Sequence, residues 1–126
     1  VVILDDLTDI LDRFNEYNVK ILFNPTIYMF PHVVIDRVEN RDQLGKYCYL
    51  NAGCCIGETW NLLNFYRNVK REMKKDYIKV DSEQYYVRKV FDKNQDTVFF
   101  DYKCNIFQCF HKTQIMQVSG DWYIKD

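Results

Sequence analysis

Residues 1–23 of the chain, VVILDDLTDILDRFNEYNVKILF, carry the pattern from which the fold can be predicted. Residues 1–4 are a short run of branched apolar side chains, which is typical of a buried strand. Apolar residues then recur at helical spacing from Leu7 to Tyr17, and residues 20–23 return to a short, mainly apolar run. Because strand, helix and strand follow in this order, we expect an α/β fold with parallel pairing and a right-handed crossover.

Strands and helices are also predicted in the middle of the chain. Residues 24–40 contain two prolines and little periodicity, which favours an irregular loop. Residues 47–56 are typical of a strand, and Gly53 within them indicates a bulge or a close approach to the backbone. Apolar residues at helical spacing predict helices at about residues 59–75 and 82–93.

The last part of the chain, residues 98–125, is predicted to form several strands, with residues 119–121 as a hairpin turn. At 126 residues the chain is the size of a single domain. The pattern therefore predicts one α/β domain over residues 1–126.

Charge and composition exclude several classes of partner. The net charge is -1 and the basic residues are spread along the chain, so neither nucleic-acid nor anionic-membrane binding is expected. The chain has no apolar run long enough to predict a membrane span. Its five cysteines form no CxxC pair and it has only two histidines, which argues against a zinc site.

Three carboxylates, Asp5, Asp6 and Asp9, follow the predicted first strand. Ligands of open α/β sheets bind beyond the carboxyl ends of strands, and carboxylate oxygens suit a hard cation. The same spacing also suits Asp6 as a helix N-cap with Asp9 as a first-turn acid. The spacing alone leaves both interpretations open.

Two further polar clusters are candidate binding residues. Asn51 stands beside Gly53 in an apolar strand, where its amide could bind sugar hydroxyls or satisfy local backbone groups. Asp81 and Gln84 fit a capping box before the helix predicted at about residues 82–93. That leaves Glu83 as a hydrogen-bond acceptor, a general base or a solvated acid.

Five stretches, taken in order, resemble the motifs of the glycosyltransferase domain of procollagen lysyl hydroxylases and related collagen glycosyltransferases. They are VVILDDLTDIL, ILFNPTIYMFP, YLNAGCCIG, DSEQYYVRKVFD and DYKCNIFQ. The resemblance covers the chain up to about residue 108 and implies a GT-A-like fold, with a mixed, mainly parallel sheet flanked by helices. It also implies that residues 1–126 are part of a larger domain, which adds nucleotide-binding strands upstream and a metal-binding histidine downstream.

The resemblance implies a role for eight residues. Asp6 and Asp9 match the two aspartates that bind manganese, which in turn holds the diphosphate of a UDP-sugar. Ser82 and Glu83 replace an acidic pair important for catalysis. The implied substrate-binding residues are Phe30, in place of a tryptophan, and Asn51, Gly53 and Gln84.

The chain departs from the family pattern at several positions. Thr8 replaces an aromatic residue, Thr26 an acid, Cys54 a glycine and Tyr102 a histidine. The replacements at Thr8, Thr26 and Tyr102, together with Ser82 in place of an acid, favour a rival interpretation, in which the chain is a degenerate transferase-like module with a binding or structural role.

The function that the resemblance implies is metal-dependent transfer of glucose or galactose from a UDP-sugar to a hydroxyl. The expected acceptor is hydroxylysine or galactosyl-hydroxylysine of a collagen-like chain, and a hydroxylase or other domain is expected as a neighbour in the parent chain. A transferase acting on another acceptor, such as a glycan or lipid, remains an alternative. The family in animals works in the endoplasmic reticulum lumen, whereas a viral relative would work in the virus or host cytoplasm.

Overall fold

The computed structural model describes residues 5–33, 35–76 and 82–107, and the backbone of residues 114–118 and 121–125. These residues form a small α/β protein. Its helices are α1 (Leu7–Glu16), α2 (Thr59–Lys75) and α3 (Glu83–Asp92), with a 3-10 turn at Arg41–Leu44. Its strands are β1 (Ile21–Thr26), β2 (Tyr49–Gly57), β3 (Val98–Phe100), β4 (Gln114–Val118) and β5 (Asp121–Lys125).

The three predicted helices are confirmed. Helix α1 begins after Asp6, whose side-chain oxygen accepts a hydrogen bond from the Thr8 N–H at 2.7 Å, as an N-cap should. Helix α3 begins after Ser82, and Lys93 ends it by donating its N–H back to the carbonyl of Val90.

The main sheet is mixed, in the order β2-β1-β3. Strand β1 is parallel to β3, with Phe23 opposite Phe100, but antiparallel to β2, with Ile21 opposite Gly57. The prediction of a mixed sheet is confirmed, and its described part holds one parallel and one antiparallel pair. The predicted strand at residues 1–4 and its parallel pairing lie outside the described residues.

A bulge in β2 confirms the interpretation of Gly53. Phe23 pairs with Cys55 whereas the next residue, Asn24, pairs with Asn51, so β2 has extra residues at this point. A Cβ atom at Gly53 would lie only 2.8 Å from the Asn51 Oδ1 atom. A larger residue at this position would therefore displace the Asn51 side chain from its contact with the bulge.

Strand β1 is longer than the sequence predicted, since residues 24–26 belong to it. Among the described residues, β3 pairs with β1 only as far as Phe23. Pro25 therefore has a ladder partner on the β2 side alone, and a proline is tolerated where one side of a strand has no partner.

The core lies between the sheet and helices α2 and α3. Ile21, Phe23 and Phe100 are fully buried there with Phe91 of α3 and Phe65 of α2. Helix α1 contributes no buried residue. Residues 114–125 include the predicted hairpin, in which β4 and β5 pair antiparallel with Val118 opposite Asp121; residues 119–120 lie outside the described residues.

No helix among the described residues is long and apolar enough to cross a membrane.

Replacing Phe91 by alanine should lower the free energy of unfolding by about 3–5 kcal/mol, because it removes a buried ring. The centroid of this ring lies 5.9 Å from the ring centroids of Phe99 and of Phe100. Leu11→Ala is the control, since this side chain is 52% exposed and should change stability by no more than about 0.5 kcal/mol. Chemical denaturation followed by circular dichroism measures both. A loss below about 1 kcal/mol in Phe91→Ala would contradict this description of the core.

Candidate functional site

The candidate site lies at one edge of the main sheet. Since β1 and β3 are parallel, their carboxyl ends, Thr26 and Phe100, lie at the same edge. Strand β2 is antiparallel and begins at this edge, with Tyr49 opposite Thr26. Such an edge is where open α/β sheets bind ligands.

The Gln84 side chain joins three segments at this edge. Its Oε1 atom accepts a hydrogen bond from the Ala52 N–H at 3.0 Å, and its Nε2 atom donates to the carbonyls of Phe30 at 3.0 Å and Leu50 at 3.2 Å. The amide of this side chain is thus directed at β2 and at the loop after β1. Asp81, the other half of the predicted capping box, lies outside the described residues.

The loop after β1 is also held by Arg88, one helical turn beyond Gln84. Its guanidinium Nη1 atom donates to the carbonyls of Phe30 at 3.2 Å and Pro31 at 2.9 Å. The Phe30 side chain itself is 53% exposed. The loop thus has an anchored backbone and presents an aromatic ring to solvent.

Asn51 and Gly53 lie together in the bulge of β2. The Asn51 Oδ1 atom accepts a hydrogen bond from the Gly53 N–H at 2.7 Å. This is the local backbone role that the sequence left open as an alternative to sugar binding. The contact also fixes the bulge beside the strand residues that Gln84 holds.

Ser82 and Glu83 begin α3. Ser82 is the N-cap residue, although its side chain makes no capping hydrogen bond, and Glu83 is exposed in the first turn. The pKa of Tyr66 is raised well above its ordinary value, first by burial, then by the neighbouring Cys55 and then by the charge of Glu83. The charge of Glu83 is thus felt by Tyr66 of α2.

The carboxylates at the start of α1 make different contacts. Asp6 caps the helix through Oδ1. Asp5 accepts the Asp6 N–H at 3.0 Å and forms an ion pair with Arg13 at 2.6 Å, and these two contacts hold the pKa of Asp5 below its ordinary value. In a capping box, Asp9 would accept the N–H of the N-cap residue Asp6. Asp5 accepts this N–H, so Asp9 is not needed for that role.

Arg13 links α1 to the segment after β3. Besides the ion pair with Asp5, it donates a hydrogen bond to the Asn105 carbonyl at 3.0 Å. Asp6 and Asp9 are thus tied through α1 to the region beyond the carboxyl end of β3, whereas Phe30, Asn51, Gly53 and Gln84 are brought together at β2.

Asp101 organises the segment after β3, a role that the sequence did not predict. Its fully buried carboxylate accepts hydrogen bonds from the N–H groups of Asn105, Ile106 and Phe107 at 2.6–3.0 Å, and from the Tyr17 hydroxyl. Burial and this carboxylate raise the pKa of Tyr17. An aspartate directly after a short apolar strand was the only local signal.

Asp6 and Asp9 are the two carboxylates that the motif resemblance proposes as metal ligands. Divalent ions of the magnesium type are commonly held by one or two carboxylates together with substrate phosphates, so a cage of protein ligands is not required. Asp6 uses its Oδ1 atom in the cap, and Asp9 lies in the first turn of α1. Within the described ranges, no group of three or more His, Cys, Asp or Glu side chains could hold a metal by itself.

No protein-family model, no curated protein and no solved structure matches this chain. An assignment of function therefore depends on the motif resemblance and on the geometry of the described residues.

Gln84→Glu should lower the free energy of unfolding by about 2 kcal/mol or more at pH 7, because the carbonyls of Phe30 and Leu50 lose the amide donor and face a carboxylate instead, although Arg88 still donates to Phe30. Acidification should reduce this loss, since a protonated glutamate regains one O–H donor. Chemical denaturation at pH 7 and pH 4 measures the effect. Gln43→Glu, at an exposed residue, is the matched control; equal stability of the two variants would contradict the role assigned to Gln84.

The ion pair of Asp5 should make stability depend on pH. Its folded-state pKa is below the ordinary value of 3.8, so its stabilising effect is present above that pH and is lost as the pH falls through the folded-state pKa. Wild type should therefore lose more thermal stability than Asp5→Asn between pH 5 and pH 2. Thermal unfolding at a series of pH values measures this, with Asp12→Asn on the same helix as control; parallel curves for wild type and Asp5→Asn would contradict it.

Proposed function

We propose that this chain is the part of a GT-A-like hexosyltransferase that carries its metal-binding aspartates and donor-sugar residues. The transferase moves glucose or galactose from a UDP-sugar to a hydroxyl, with hydroxylysine or galactosyl-hydroxylysine of a collagen-like chain as the acceptor. The observation that carries this proposal is the convergence on Gln84 of three segments that the motif resemblance selected independently. They are the loop with Phe30, the Asn51–Gly53 bulge and the start of α3.

The residues around Gln84 have the chemistry of a sugar-binding site. An exposed ring such as Phe30 can stack on a sugar or a base, and it is held on an anchored backbone. The glycine bulge at Gly53 allows a ligand to approach the β2 backbone closely. Glu83, exposed at the start of α3, can accept a hydrogen bond from a sugar hydroxyl or the proton of the acceptor hydroxyl.

Asp6 and Asp9 are the proposed ligands for manganese. A cation held by these carboxylates would neutralise the charge that develops on the diphosphate as it leaves. Arg13 keeps the start of α1 in place through Asp5 and Asn105, so the two aspartates are positioned before a donor binds. Ser82 precedes Glu83 at the cap of α3, where it can orient the same acceptor.

A degenerate module that binds a partner without catalysis is the second candidate. One observation favours it: Tyr102, in place of the family's histidine, packs edge-on against Tyr17 and Phe99, with ring centroids 6.1 Å away in each case. This residue therefore serves packing. A module of this kind would bind neither manganese nor a UDP-sugar.

Calorimetric titration of the full native chain with UDP and UDP-glucose, with and without manganese, tests the proposal. We expect manganese-dependent binding by wild type and a loss of about a hundredfold in transfer rate in Asp9→Ala, because a charge-stabilising group is removed. Sugar transfer to a hydroxylysine peptide is measured in parallel.

Asp12→Ala is the matched control, since it removes an exposed carboxylate from the next turn of the same helix. It should bind donor and metal as wild type does. Absence of manganese-dependent donor binding by the wild-type chain would overturn the proposal and favour the non-catalytic module.

A further inference from the structure

We propose that Arg88 is a positioning residue for the donor site: it sets the path of the loop that carries Phe30, and so determines where the Phe30 ring meets the sugar nucleotide. This loop, residues 27–33, is called the donor loop here, and the inference depends on the proposed function. Arg88 does not touch the donor in this proposal. It acts through backbone carbonyls of the loop.

The contacts of Arg88 are divided between two ends of one guanidinium. Nη1 donates to the carbonyls of Phe30 and Pro31, at 3.2 and 2.9 Å. Nη2 donates to the Asp36 carboxylate at 2.6 Å. A planar fork can bind acceptors in both places at once, which the single ammonium group of a lysine cannot do with the same geometry.

Burial makes this arrangement rigid. Arg88 and Asp36 are 1% and 4% exposed, so neither side chain can exchange its partners for water. A buried charge is tolerated only when it is paired and hydrogen-bonded. The loop carbonyls are thus held where the guanidinium requires acceptors.

The need to pair the Asp36 carboxylate does not by itself explain why an arginine is present at position 88. A second cation, Arg41, lies 3.3 Å from the same Asp36 oxygen, and Arg41 also donates to the Cys48 carbonyl just before β2. Asp36 would therefore keep a cationic partner without Arg88. Among Arg88, Asp36 and Arg41, only Arg88 contacts the carbonyls of Phe30 and Pro31.

Gln84 cannot replace Arg88 in this task. Its Nε2 atom reaches the Phe30 carbonyl at 3.0 Å, and its other donor contact is with Leu50 in β2. Without Arg88, the loop would therefore keep the Gln84 contact at Phe30 but lose the guanidinium contacts at Phe30 and Pro31. We expect the backbone at Phe30 and Pro31 to shift, which displaces the exposed ring of Phe30.

Arg88→Met and Arg88→Lys in the full native chain test this inference. Lysine retains a cation for Asp36 but not the fork, so Arg88→Lys should keep the fold in case Arg88→Met does not. In both variants, amide hydrogen exchange in residues 27–33 should become at least tenfold faster, while exchange in β1 stays as in wild type. The KM for UDP-glucose should rise about tenfold with a smaller change in kcat.

Lys89→Met is the matched control. Lys89 is the next residue of α3, but it pairs with Glu72 and Asp76 on the side of α2. It should leave both the exchange of the donor loop and the KM unchanged. This separates a local effect on the loop from a general loss of charge on the helix.

Two results would overturn the inference, and they differ from failure of the proposed function. One is an unchanged KM and unchanged loop exchange in Arg88→Lys. The other is faster exchange throughout β1 and the donor loop alike, which indicates a purely structural role. If wild type binds no UDP-sugar, the proposed function fails and the donor role of Arg88 fails with it, whatever the exchange of the loop.

Discussion

The described part of the molecule depends on one constraint: the guanidinium of Arg88 is buried, so its charge must be paired and hydrogen-bonded, which is achieved through its two Nη atoms while Nε has no partner. Its position on α3 is set by the apolar face of that helix, on which Val87, Val90 and Phe91 enter the core. The acceptors come from the long connection between β1 and β2, through two carbonyls and Asp36. Packing of the helix and the path of the connection are therefore coupled by an electrostatic requirement.

The candidate site follows from this coupling. Once the connection is held against α3, Gln84 can reach the loop on one side and the bulge of β2 on the other. Both amide atoms of Gln84 bind backbone, so this residue builds the site rather than offering its amide to a ligand. What the site offers to a ligand is the ring of Phe30, the open backbone at Gly53 and the exposed carboxylate of Glu83.

Much of the fold was predictable because its signals are local. Helical spacing predicted the three helices described, and the cap at Asp6 and the bulge at Gly53 were each one of two interpretations that the sequence offered. The antiparallel direction of β2 was not predictable, since it depends on the path of an irregular connection. Arg88 and Asp101 carried no signal of burial: one looked like an exposed cation on an amphipathic helix and the other like a turn residue after a strand.

By itself, the sequence determined the helices, the cap and the bulge, because the interactions that specify them join residues a few positions apart. It also carried the ordered motifs from which a sugar-transfer function is proposed. Only the tertiary structure decided the partners of Gln84, Arg88 and Asp101. Arg88 and Asp36 are 52 positions apart, and whether such a pair meets depends on how the whole connection packs, which no local pattern encodes.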